Sequence, residues 1–255
     1  MLCNKSRQES CGSHINPEKI MGQNPPNTFA LTFDTDWVPQ FVMDHVIDFL
    51  AAYDLPATFF CTSPYKLPRN EQIETALHPN FLENSTQGED EESRLQYLKD
   101  LYPEAIGSRS HRFYWHSGIK TLLQSKGILY DASLPCPLQT HLGRIDSFGI
   151  IRFPTWWTDG FQLLSKRRMD VFDLPGMRTP GLKVMMFHPI HIYCNTNSHT
   201  DFKAAMRGFD LPNATPGDLE GLRNPGQGIS TFFEAVLSHL KARKNTCTLK
   251  NLCTD

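Results

Sequence analysis

Two aspartates pose the chemical question. Residues 30–37 read Ala-Leu-Thr-Phe-Asp-Thr-Asp-Trp, an apolar run that stops on Asp34 and Asp36. Side chains alternate faces along a strand, so both carboxylates are expected on one side of its end. Two like charges held that close are costly unless a cation lies between them or one keeps a proton. The pair therefore predicts a metal site or an acid/base site. Capping of the following helix is the plainer alternative, but it accounts for only one aspartate, and Pro39 already suits the first helical turn.

The same pattern recurs down the chain. Short apolar runs end on His78, on Arg109 and His111, on Arg152 and on His188. Barrels of the β/α type gather their chemistry from the ends of several different strands on one face. Arg152 sits inside an apolar strand end, where an unpaired guanidinium is expensive, so it should have a carboxylate partner. Asp34 is the natural one. Trp156 and Trp157, placed just past that strand end, read either as core or as a wall for a small apolar group or a sugar face. His188 follows Val184-Met185-Met186-Phe187 and is the more probable actor there, with His191 in support.

The elements that must position these residues follow from periodicity and breakers. A first strand is expected over 28–36, a helix over 39–53 and a second strand over 57–61. That order implies parallel pairing through a right-handed crossover. Further strands are expected at 74–77, 105–108, 128–132, 149–154 and 181–187, with helices ending at 101 and spanning 117–126 and 229–243. The acidic stretch 83–93 reads as a solvated loop.

With 255 residues, 40% of them hydrophobic, the chain can bury one well-packed domain. That domain is expected over 27–255, after a polar, flexible leader at 1–26. Lys+Arg 25 nearly balances Asp+Glu 27, which gives no reason to expect nucleic acid or an anionic membrane as partner. No apolar stretch approaches the ~20 residues that span a bilayer. The seven cysteines are scattered and include no Cys-x-x-Cys, which argues against a disulfide framework and a thiolate zinc site. Free thiols and no signal-peptide core point to the cytoplasm. Oligomeric state is not legible.

In this order the residues resemble the polysaccharide deacetylase superfamily (the NodB-homology domain), above all its WbmS-like branch from surface-polysaccharide gene clusters. Leu31-Thr32-Phe33-Asp34-Thr35-Asp36 is similar to the first motif of that family, and Ala76-Leu77-His78-Pro79-Asn80-Phe81 to the second. Arg152-Phe153-Pro154 and Met185-Met186-Phe187-His188 are similar to later ones. The resemblance spans roughly residues 27–243. It implies an α/β fold, a distorted and incomplete (β/α) barrel, and a divalent metal, zinc by default, held by one Asp and two His.

Carried over, Asp36 and His78 are metal ligands, Asp34 the catalytic base, Arg152 the residue orienting it and His188 the general acid. The family places its second metal histidine four residues after the first. Leu82 stands there in this chain, and His111 is the substitute third ligand. Trp156, Trp157, Arg109 and Asn80 are expected to contact the substrate.

The implied activity is metal-dependent removal of an N-acetyl group from a small-molecule or lipid-linked sugar precursor of a surface glycan such as O-antigen. Hydrolysis of another non-peptide C–N bond or of an ester, and a non-catalytic glycan- or partner-binding role, are the alternatives.

Overall fold

The structure is a computed structural model that describes residues 27–165, 170 and 174–254; the leader at 1–26 lies outside them. Seven parallel strands close into a ring: β1 (Asn27–Asp34), β2 (Ala57–Cys61), β3 (Ile73–Leu77), β4 (Gly107–Ser108), β5 (Tyr130–Pro135), β7 (Ile150–Thr158) and β8 (Gly181–Phe187). β5 pairs with β7, and β8 returns to β1, which completes the barrel. β6 (Ile145–Ser147) is an antiparallel hairpin partner of β7 outside the ring. This is the α/β barrel that the sequence implies.

Strand alternation sorts the side chains into two layers. Ala30, Phe60, Ala76, Tyr130, Ala132, Phe153, Leu182 and Val184 come from six strands and form one buried cluster, the barrel interior. Phe29, Leu31 and Phe33 belong to a second cluster outside the ring. They pack there against α1 (Gln40–Tyr53) and α8 (Ile229–Lys241). Phe232, Phe233, Val236, Leu237 and Leu240 of α8 are all buried. Each such side chain contributes roughly 1.5–3 kcal/mol by leaving water.

The barrel floor is plugged by α9 (Leu249–Thr254), whose Leu249 joins the interior cluster. Buried Glu74 accepts hydrogen bonds from Thr58 Oγ1 (2.7 Å), Tyr130 OH (2.7 Å) and the Lys250 N–H (2.8 Å). Burial pushes its carboxyl above the ordinary range against the pull of these donors.

Two shifted boundaries bear on the site. β1 ends at Asp34, so Asp36 lies beyond the pleat. β7 runs to Thr158 rather than to 154, which puts Trp156 and Trp157 inside the strand. The stretch 83–93 is not uniformly solvated either. Gln87 is buried, donating to the carbonyls of Thr62 (3.0 Å) and His78 (3.3 Å) and accepting from the Asn80 N–H (2.7 Å). The polar composition of that stretch hid one side chain that ties the loop to the strand end. The remaining helices are α2 (Glu91–Leu101), α3 (Ser117–Ser125), α4 (Asp159–Ser165), α5 (Pro189–Tyr193), α6 (His199–Ala205) and α7 (Pro216–Glu220).

Candidate active site

The C-terminal ends of the strands bring Asp34, Asp36, His78, Arg109, His111 and His188 together. Thr32 and Asp34 continue the inward parity of Ala30, and His188 continues that of Leu182, Val184 and Met186.

Asp36 is carried by a strained turn. Its φ is 39° and that of Trp37 is 58°, in the left-handed region that disfavours a bulky side chain. The turn is fixed from both sides: the Trp37 N–H donates to Thr62 Oγ1 (3.0 Å) and the Val38 N–H to the Thr35 carbonyl (3.0 Å). The strain swings the Asp36 carboxylate over the barrel mouth. There its Oδ1 lies 3.2 Å from His78 Nε2 and 3.2 Å from His111 Nδ1.

His78 Nδ1 lies 2.6 Å from the backbone carbonyl of Arg109. A carbonyl can only accept, so Nδ1 carries a proton, and in the neutral form that binds a metal the Nε2 lone pair is the one turned to Asp36. Both His78 Nε2 and Asp36 Oδ1 are buried without a hydrogen-bond partner. Two buried acceptors facing each other call for a cation between them. With His111 they form a carboxylate and two imidazoles whose ligand atoms all lie within 4.8 Å of one another, a donor set that suits zinc and related divalent metals. Burial alone would raise the Asp36 carboxyl. The imidazoles of His111, His188 and His78 outweigh it and hold the carboxyl well below its ordinary range.

Asp34 is buried, and its partner is not Arg152. Arg109, fully buried, reaches across the mouth and places Nη1 2.8 Å from Asp34 Oδ1 and 2.9 Å from Thr32 Oγ1. Its Nε donates to the Ala132 carbonyl (3.2 Å), its Nη2 to Thr155 Oγ1 (3.3 Å), and its plane lies 4.2 Å from the Phe60 ring centroid. So locked, the Arg109 guanidinium holds the Asp34 carboxylate in place and does not line the cavity.

Arg152 faces the other way. Phe153 is inside the barrel, so Arg152 is outside it. Its Nε lies 2.7 Å from Asp131 Oδ2 and its plane stacks 3.7 Å from the Trp115 ring. The expected Arg152–Asp34 pairing is therefore corrected by strand parity.

Trp156 and Trp157 are 0% and 3% exposed. A register shift between Thr155 and Trp157 breaks the alternation of β7, and both indoles enter the outer core. Trp157 stacks on Phe232 with centroids 4.9 Å apart. They form no wall of the site. Asn80 uses its Oδ1 to accept the Leu82 N–H (3.2 Å), which shapes the turn after His78, and it does not line the cavity.

One residue escaped sequence reasoning altogether. Asp159, at the start of α4, is fully buried and holds His188 twice, from the ring Nδ1 (2.7 Å) and the backbone N–H (2.5 Å). Burial would lower the His188 pKa, but the charge and hydrogen bond of Asp159, aided by Asp36 and Asp34, raise it to about 10. His188 Nε2 faces the site, 3.5 Å from Asp36 Oδ2. His191 also lies near Asp159, and burial lowers its pKa to about 4, so it stays neutral. Both oxygens of Asp159 are already used by His188, which makes this second cluster a hydrogen-bonded dyad. The signal in the sequence was a lone acid ending a strand, Thr158-Asp159-Gly160, easily taken for a helix cap.

A cavity of about 530 Å³ opens over Asp34, Asp36, His111 and His188. A larger groove, about 1220 Å³, lies between 64–75, 101–106 and the start of α9, and holds none of these residues. No helix among the described residues is long and apolar enough to cross a membrane.

Residues 31–206 match the family WbmS-like: Polysaccharide deacetylase, and the chain belongs to that family. A crystal structure from Bordetella bronchiseptica, of a protein assigned as a polysaccharide deacetylase involved in O-antigen biosynthesis (WbmS), is similar over 83% of this chain and 90% of its own. The two are 29% identical, with a TM-score of 0.73. Two more distant structures share the fold at 15% identity. One is a protein from Mycobacterium smegmatis assigned as a polysaccharide deacetylase (TM-score 0.51, 90% of this chain and 91% of its own). The other is the peptidoglycan N-acetylglucosamine deacetylase Bc1960 (TM-score 0.50, 91% of this chain and 90% of its own). No curated protein matches the chain.

Proposed function

We propose that this protein is a metal-dependent hydrolase that releases the N-acyl group, in the simplest case acetyl, from an amino sugar of a surface-glycan precursor. The observation that carries the reading is the pair of orphaned buried acceptors, His78 Nε2 and Asp36 Oδ1, with His111 Nδ1 beside them. Asp36, His78 and His111 would hold the metal. Zinc is the default for such a set. When bound, a divalent cation there supplies Lewis-acid polarisation of the amide carbonyl and acidification of water.

The protein's own groups supply the rest. Asp34, kept oriented by Arg109 and Thr32, accepts the proton of the attacking water. His188, charged at neutral pH because Asp159 holds it so, donates a proton to the departing nitrogen. Unprotonated, that nitrogen would have to leave as an anion, so this donation makes C–N cleavage possible. The apolar surroundings of the carboxylates strengthen each of these interactions. The O-antigen role of the Bordetella relative supports a surface-polysaccharide precursor, small-molecule or lipid-linked, as substrate.

The test measures metal content and acetate release together. Wild type should retain about one zinc per chain after dialysis, and Asp36→Ala or His78→Ala should lose it. Asp34→Asn should keep the zinc while losing turnover. Stoichiometric zinc in Asp36→Ala would overturn the ligand set.

A further inference from the structure

Beyond the ionisable groups, the cavity over the site is hydrocarbon. Met186 of β8, Ile190 of α5, Phe161 and Leu164 of α4, and Phe202 and Met206 at α6 line it together, with the Phe202 ring 4.7 Å from that of His191. Phe161 and Leu164 are three apart on α4, hence on one face, and are 45% and 60% exposed. Single exposed apolar residues need no explanation. These two share one cavity with the candidate metal ligands, which gives their exposure a direction. The Thr158 hydroxyl already accepts the Phe161 N–H (3.0 Å). Against the hydrocarbon side chains themselves a hydroxylated sugar ring finds no hydrogen-bond partner. An alkyl chain would lose nothing. The space also exceeds what acetyl needs, since a methyl group occupies about the volume of one water, ~30 Å³, against about 530 Å³ here.

We propose that this chamber takes the alkyl part of an N-acyl group longer than acetyl, with the sugar held towards the open mouth. The proposal rests on the hydrolase reading above and names its substrate class. Water adds to the acyl carbon and gives up its proton to Asp34; the C–N bond breaks, and its electron pair leaves on nitrogen, which takes a proton from His188. The products are an alkyl carboxylate and an amino sugar, and passage of the proton from Asp34 back to His188 restores the protein.

Alkyl hydroxamic acids test this without knowledge of the sugar, because they chelate a divalent metal and carry the alkyl chain where the acyl group would lie. Zinc-loaded protein is titrated calorimetrically with aceto-, butano- and hexanohydroxamic acid. Each buried methylene should tighten binding roughly fourfold, so the hexano compound, four methylenes longer, should bind on the order of 250-fold more tightly than the aceto compound. In the double variant Phe161→Ser/Leu164→Ser, where both side chains are exposed and folding is not at stake, the gain per methylene should fall below about twofold. Phe148→Ser, at an exposed hairpin tip outside this cavity, should keep the full gain.

Affinity that stays flat or falls with chain length, or a double variant with an unchanged gain, overturns the chamber while leaving the hydrolase reading intact. Failure to retain zinc, or no binding of any of the three compounds, overturns the metal centre, and the chamber falls with it.

Discussion

Arg109–Asp34 and Arg152–Asp131 are chemically the same pair, an arginine and an aspartate buried at 2.8 and 2.7 Å. The first lies inside the barrel mouth, wrapped by Thr32, Thr155, the Ala132 carbonyl and the Phe60 ring. The second lies outside the ring, between β5 and β7, under the Trp115 indole. Each guanidinium offsets part of the cost of burying its carboxylate, although burial still raises the Asp131 carboxyl above its ordinary range. Only the inner carboxylate shares a cavity with the candidate metal ligands. One residue of strand parity thus separates a pair that can do chemistry from a pair that holds two strands together.

The sharpest way to break that contrast is to remove each arginine in turn. Arg109→Met should lower deacylation by at least about 10²–10⁴, the usual worth of a positioned acid/base group. It should also destabilise the fold by about 3–5 kcal/mol, because Asp34 is left buried and unpaired. Turnover assays and urea titration read the two effects. Arg152→Met should show the stability loss, again about 3–5 kcal/mol, but with zinc content unchanged and kcat within a few-fold at a permissive temperature. A matching collapse of kcat would abolish the distinction drawn here.

Next in size is Asp159→Asn. The folded pKa of His188, about 10, lies above its ordinary 6.5. Its stabilising contribution is therefore complete below pH ~6.5 and is lost as pH rises through ~10. Without the Asp159 charge that pKa falls, so the alkaline limb of the pH–rate profile should move to lower pH and kcat at pH 8 should drop by about 10–100-fold. An unmoved limb would mean that His188 is not the proton donor. The smallest effect belongs to Trp157→Phe. It should cost about 1–3 kcal/mol of stability as a core change, with KM for any acylated sugar unaltered; a raised KM would return the indole to the site.

The sequence made the strand ends legible because buried parallel strands are apolar runs, and a charged residue at the end of one stands out. Asp34, Asp36, His78, His111 and His188 stand out in that way. The choice between the two arginines does not, since it depends on which face each strand turns inward, and only the closed ring fixes that. Phe153 between Arg152 and Pro154 held the clue: an inward Phe forces its neighbour outward. The tryptophans misled for a related reason, a bulge in β7 that no composition announces. Asp159 was missed because its partner lies 29 residues away along the chain, joined only by the adjacency of β7 and β8.

The plugged floor of the barrel has a consequence for traffic. With Leu249 seated among the inward residues and Glu74 fastening the start of α9, the vessel has a bottom. Whatever enters by the rim must leave by the rim. A long polymer cannot be threaded through such a vessel. The site at the rim is approached and left from one side only.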